Sequence, residues 1–420
     1  MSADGRSVLE LLQAQQRQLA LLSSRISMLH EEHEALCECL TTCGAVSADR
    51  LLAHLHRRRF SAALRRHSPG RLGESLETVM QTRELALLLA ARAGLAAAAA
   101  VSVASQALRR STAAAAPDLA ALFPVTLYAV GGEAGGAAMA SVESLDVLRG
   151  VWTETIPLAM PRSGCAAVAM GGHLYVAGGC SSEGEDLSSV ERLDLRTAAW
   201  EPQPSMEGGR DELAAVAAGR HIFAVGGSHL VWPVRHVVDT VERLEPGAVP
   251  GEGEEAWFRL PSLRQERCAA AAVWLQGALY VLGGCDEDGT ALDTAERLVP
   301  GAAAWETLPR MARPRCNFAA AAARGRLFVA GGYDDRMRDL ESVECLDPVS
   351  CTWEVVASLS VPRWGVRAVG RGGLVFIVGG HARDGEVGDV DRLDLGTGRW
   401  AALPPLAVPR RSFGLAAVLG

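Results

Sequence analysis

Between residues 126 and 420, six pairs of adjacent glycines recur in step: Gly131–Gly132, Gly178–Gly179, Gly226–Gly227, Gly283–Gly284, Gly331–Gly332 and Gly379–Gly380. The steps between pairs are 47, 48, 57, 48 and 48 residues. A tryptophan follows each pair, at Trp152, Trp200, Trp257, Trp305, Trp353 and Trp400. Ten residues after every tryptophan stands an arginine: Arg162, Arg210, Arg267, Arg315, Arg363 and Arg410. Three markers in step describe a repeated structural unit, and repeats of this length cannot bury an apolar face alone.

Each unit holds four short segments of strand character. In the second copy they are Cys165–Val168, Leu174–Ala177, Val190–Asp194 and the residues around Trp200. Gly-rich and polar stretches separate them, which are turn signals. Four such strands form one small twisted sheet that must stack on its copies, and radial stacking gives a propeller. The glycine pairs allow close backbone approach, and each tryptophan brings apolar area to the gap between neighbouring sheets. An acidic residue recurs in the third strand, as Glu191, Glu242 and Glu296. We expect these carboxylates to reach the repeated arginines as partly buried structural ion pairs. In the repeat frame Gly420 is followed by Thr126, so residues 412–419 should supply the first strand of a sheet whose other three lie within 126–157. Strand pairing between the two ends would then close the ring and leave no open edge.

The pattern Pro161-Arg162, Leu174-Tyr175-Val176-Ala177-Gly178-Gly179, Val190-Glu191-Arg192-Leu193-Asp194 and Trp200 resembles the kelch repeat. The resemblance implies a mainly β fold: a six-bladed kelch β-propeller over 126–420. Copies three and four depart from the pattern, with Gly209 and Glu266 replacing proline before the arginine and Val299 ending the third strand of copy four. Copy three also carries an insertion, Pro246 to Glu255, rich in Gly, Pro and Glu and expected to be an exposed loop.

Ahead of the propeller the periodicity is helical. Residues 7–43 show two heptad seams, one with Leu12, Leu19, Ile26, His33 and Leu40, the other with Val8, Gln15, Leu22, Leu29 and Leu36. This predicts a coiled coil that makes the chain a homodimer. A helical region over 44–116 and a linker over 117–125 complete the expected organisation. The Ala-rich stretch from Ala93 to Ser105 is too short for a membrane span and reads as a packed helix.

Charge and composition narrow the function classes. Residues 1–120 carry a net charge of +3 and the remainder −11. An acidic propeller disfavours phosphate backbones, so no nucleic-acid partner is expected. The 41 basic residues are all arginine, which excludes Schiff-base chemistry and a phosphate-loop lysine. Ten cysteines occur without a disulfide-framework spacing or a preceding secretory signal, which points to reduced thiols and a cytoplasmic location. Cys165, Cys268 and Cys316 recur at the entry to the first strand and read as packing residues. His33, Cys37, Cys39 and Cys43 cannot all face one ion from one helix, so neither a metal nor another cofactor is expected.

The resemblance implies a non-catalytic protein-interaction scaffold whose partners bind the face carrying the strand-four-to-one and strand-two-to-three loops. Carried over position by position, the first loop set is Ser163, Asp211, Glu212, Asn317, Trp364, Arg411 and Ser412. The second is Asp186, His229, Trp232, Asp286, Tyr333, Asp334, Arg336, Arg338, His381 and Arg383. Trp364 is the leading anchor, because a loop tryptophan is costly without a contact. Two alternatives stand beside this reading. One is a substrate receptor of a cullin-type ubiquitin ligase, which would need an adaptor-binding element in residues 41–120. The other is an enzyme of the same fold, such as a sugar mutarotase. A copper–tyrosyl site is disfavoured, because three of the four tyrosines (Tyr128, Tyr175 and Tyr280) fall inside second strands.

Overall fold

The computed structural model of the protein describes residues 125–231, 233–246, 256–371 and 373–419. The expected coiled coil, the helical region, nearly all of the linker, the bulk of the copy-three insertion and Trp232 lie outside the described residues. Val125, placed in the linker by sequence, is the first residue of a strand.

Six four-stranded antiparallel sheets form the blades of the propeller. Blade 2 shows the pattern: Ala166–Met170, His173–Ala177, Val190–Asp194 and Ala199–Gln203 follow one another in space as in sequence. Blades 3 to 6 begin with Ala214–Ala218, Ala271–Leu275, Ala319–Ala323 and Arg367–Arg371. Blade 1 takes its first strand, Gly414–Leu419, from the C-terminal end and its other three from Val125–Val130, Val142–Asp146 and Val151–Glu154. Val125 pairs with Leu419 and Val130 with Gly414, in unbroken antiparallel register.

The first strands of successive blades pack against one another all the way round, which places them innermost. Crowding at the axis explains their composition, which is mostly alanine. A Cβ added at Gly414 would lie 2.5 Å from the Ala167 Cβ, and one at Gly370 would lie 2.1 Å from the Ala322 carbonyl oxygen. The apolar core is divided into wedges between neighbouring sheets. Between blades 2 and 3, for example, Val168, Tyr175 and Val190 meet Met206, Leu213, Ile222 and Trp257. Five repeat tryptophans donate their indole N–H to a carbonyl of the preceding repeat, as Trp305 does to Pro261 at 2.8 Å.

The repeated arginines are buried, and each is paired with the acidic residue of its own blade's third strand. In blade 4, Arg267 meets Glu296 at 2.6 Å and also donates to the Gly283 carbonyl at 2.7 Å. The neighbouring Arg192 and Arg297 face the other side of the sheet and pair with Glu201 and Glu306 on the fourth strand.

Both glycines of every pair have positive φ, between 54° and 111°. At Gly226 (φ +57°) a Cβ would lie 2.3 Å from the Arg267 carbonyl oxygen of the next repeat. Gly226→Ala should therefore lower stability by roughly 1–3 kcal/mol in urea unfolding. Gly219 has nearly the same φ (+60°) but open space around it. Its replacement by alanine should cost only about 1 kcal/mol.

Candidate functional site: the loop face of the propeller

Two residues in each blade set the geometry of one end of the propeller. The first follows the repeated arginine: Ser163, Asp211, Cys268, Cys316, Trp364 and Arg411. The second follows the glycine pair: Cys180, Ser228, Cys285, Tyr333, His381 and, in blade 1, Glu133. Within each blade the two bridge through reciprocal backbone hydrogen bonds, for example Ser163 with Cys180 and Trp364 with His381. Their side chains therefore rise from the same end of the sheet.

The residues one place further on form a closed belt about the axis. The Gly164 N–H donates to the Ser412 carbonyl and the Glu212 N–H to Gly164. The belt continues through Ala269, Asn317, Gly365 and Ser412, with N···O distances of 2.7 to 3.1 Å. All six hold φ between 48° and 63°, including four that are not glycine. Such a conformation is unfavourable for a side-chain-bearing residue and persists because both neighbouring blades hold it. Asn317 and Ser412 are 6% and 8% exposed, and the Asn317 side-chain amide donates to Glu212 at 3.4 Å across the axis. Glu212, Asn317 and Ser412 thus line the throat, whereas Ser163, Asp211, Trp364 and Arg411 stand around it.

An aromatic and cationic cluster joins blades 5, 6 and 1. Trp364 stacks on His381 with ring centres 5.0 Å apart, and Tyr333 meets it edge-on at 6.0 Å. The Arg411 guanidinium lies 4.7 Å from the Trp364 ring centre and is held by Glu133 and, at 3.9 Å, by Glu386. Burial pushes the Tyr333 phenol above its usual value. Trp364 is half-buried and already has partners within the chain, so an unmet contact is not what marks it out. It is the centre of a rigid platform.

Arg336, Arg338 and Arg383 are exposed beside this platform. Asp334 is buried beneath the blade 5 loop, accepting from the Arg336 and Arg338 N–H groups at 3.0 Å and pairing with the Arg338 side chain at 2.7 Å. Those bonds hold its carboxyl below the usual range, although burial opposes them. Asp286 accepts from the Thr290 N–H in the same way in blade 4. Both aspartates shape their loops. His229 lies on the Ser228–Val231/Val234–Val237 hairpin of blade 3, 5.8 Å from His236, as a separate feature from the Trp364 platform.

Sequence reasoning missed Cys285 as a partner for Cys316: the two form a disulfide, with Cα atoms 5.6 Å apart. The expectation that Cys316 is a reduced packing residue is thereby corrected. The repeat frame names both positions but not their contact: in the fold, the residue after the glycine pair of one blade abuts the residue after the arginine of the next. Cys165 and Cys268 are buried free thiols. The same pair of positions between blades 2 and 3 holds Cys180 and Asp211. Burial, with Glu212 adjacent, pushes the Asp211 carboxyl up to about 7.

A family model described as the Kelch motif matches residues 161–207, 266–312 and 314–360. This is a kelch-repeat propeller. The three matches fall on blades 2, 4 and 5. The kelch blades outside the matches are 1, whose strands come from both ends of the domain, 3, which carries the insertion, and 6, where Asp391 replaces glutamate. All three keep the same sheet and the same buried arginine pair. The chain matches no curated protein. No helix among the described residues is long and apolar enough to cross a membrane.

Proposed function

We propose that the protein is a non-catalytic interaction scaffold whose kelch propeller grips a protein partner on the face centred on Trp364, with the heptads of residues 7–43 joining two chains. The observation that carries the reading is the platform of Trp364, His381, Tyr333 and Arg411. Tryptophan, tyrosine and arginine are the types that anchor protein interfaces. A platform fixed by stacking and ion pairs loses little side-chain freedom when a partner arrives. Exposed Arg336 and Arg383 on its flank favour a segment that carries carboxylates. Five free cysteines among the described residues favour the cytoplasm, and the buried Cys285–Cys316 disulfide stands as the exception to that reading.

The test is proximity labelling with the full chain, wild type beside Trp364→Ala. The expected result is loss of the main partners at an unchanged expression level, with a melting temperature only a few degrees lower. Leu148→Ala, an exposed change in the strand-three-to-four loop of blade 1, should keep the full partner set. Identical partner lists for wild type and Trp364→Ala would refute the assignment. Light scattering of the full chain against Leu22→Asp should show a dimer becoming a monomer if the heptads join two chains.

A further inference from the structure

We infer that the cleft between blades 2 and 3 is a binding site for a zinc-like divalent cation, held by the Cys180 thiolate and the Asp186 and Asp211 carboxylates. The three ligand atoms lie within 4.8 Å of one another. They come from two rigid places. Cys180 and Asp186 bridge each other across the base of the loop that follows the glycine pair of blade 2. Asp211 enters from blade 3 at the residue after the repeated arginine. The spatial relation of those two positions is fixed by the fold: between blades 4 and 5 their counterparts, Cys285 and Cys316, are close enough to share a covalent bond.

The carboxylates are oriented as ligands are. Asp186 has a side chain only 8% exposed. One of its oxygens accepts from the Leu230 N–H at 2.5 Å, while the other, Oδ1, has no hydrogen-bond partner. The nearest positive group to that oxygen is the Arg235 guanidinium at 3.6 Å, too long for a hydrogen bond, so the buried Oδ1 still has room to accept a closer cation. Asp211 is held in turn by the Glu212 N–H at 2.8 Å. Room for its carboxyl comes from Gly164, where a Cβ would lie 1.7 Å from the Asp211 Oδ1.

One thiolate and two carboxylates form a mixed sulfur–oxygen set. Such a set suits a borderline cation like zinc better than calcium or magnesium, which take oxygen ligands. Water completes a four-coordinate shell. On binding, the Cys180 thiol gives its proton to solvent as the sulfur takes up the metal. Three negative ligands and a divalent ion leave one negative charge. Arg235, 3.6 Å from Asp186 and 3.5 Å from Asp211, offsets it from the outer shell.

The test is alkylation of the full chain by iodoacetamide, with and without zinc, read at each cysteine by peptide mass spectrometry. Zinc should slow modification of Cys180 at least tenfold in the wild type and leave exposed Cys351 unchanged. Asp186→Asn and Asp211→Asn should each remove the protection of Cys180 while keeping the wild-type melting profile. Cobalt in place of zinc should give a thiolate charge-transfer absorption that loses one equivalent in Cys180→Ser. Cys180 reacting equally fast with and without zinc, or staying protected in either asparagine variant, would overturn the site. Reading cysteines individually keeps any metal taken by Cys37, Cys39 or Cys43 from being mistaken for it.

Discussion

Removing residues 411–420 should abolish the cooperative thermal unfolding of the propeller. The deletion takes the whole first strand of blade 1, and with it the backbone partners of Val125–Val130. It takes fully buried Phe413, with Leu415 and Ala417, from the wedge between blades 6 and 1, and Ala416 from the wedge between blades 1 and 2. It also removes Ser412 from the axial belt, which then loses two of its six hydrogen bonds. Loss of a buried phenylalanine alone costs about 3–5 kcal/mol. The strand pairing and the second wedge add to that, and a folded domain has only about 5–15 kcal/mol in reserve. Circular dichroism melts of the full chain and the deletion decide the matter. A deletion variant that melts as the parent does would mean the ring is not closed by this strand. Phe413→Ala is the graded companion, expected to lose about 3–5 kcal/mol while keeping one sharp transition.

The reach of the sequence follows from what repetition encodes. Positions that do the same job in each blade carry the same residue, so Arg162, Glu191 and Trp200 and their counterparts show up as a period. The buried ion pairs and the inter-blade tryptophans follow from that period alone. The loop face is where the six copies must differ, and there periodicity names positions without contacts. Trp364 was visible as an unusual loop residue, but its stack on His381 depends on the bridge within blade 6, and the Arg411 cap on blade 6 meeting blade 1 in space. Asn317 and Ser412 enter the partner-binding loop set because they follow the arginine. Only backbone geometry, with positive φ and a hydrogen bond to each neighbouring blade, places them in the belt. Cys285 with Cys316 and Cys180 with Asp211 were hidden for a related reason. Each pair spans two repeats, whereas a frame compares residues within one.

Arg315→Ala should destabilise the propeller by about 3–5 kcal/mol, the cost of leaving a buried carboxylate without its partner. Arg315 and Glu344 have side chains 0% and 1% exposed. Desolvation pulls the Arg315 guanidinium below its ordinary pKa, and Glu344 opposes that pull. The arginine also donates to the Gly331 carbonyl at 3.0 Å and to the Ser342 hydroxyl at 3.1 Å. Glu344 in turn accepts from the Ala312 N–H at 2.8 Å, just before the strand entry. One pair thus ties the first, second and third strands of blade 5 to the turn leading into it. Two further variants separate charge from hydrogen bonding. Glu344→Gln keeps the shape and the acceptor for Ala312 but removes the charge, so its loss measures the ionic part. Arg315→Leu with Glu344→Leu removes the unpaired charge but strands the Gly331 carbonyl and the Ala312 N–H. The double variant should therefore recover only part of the loss, about 1–3 kcal/mol remaining for those orphaned groups. Urea unfolding midpoints of the four proteins give the comparison. If Arg315→Ala unfolds at the parent midpoint, the repeated arginine is not what holds a blade together.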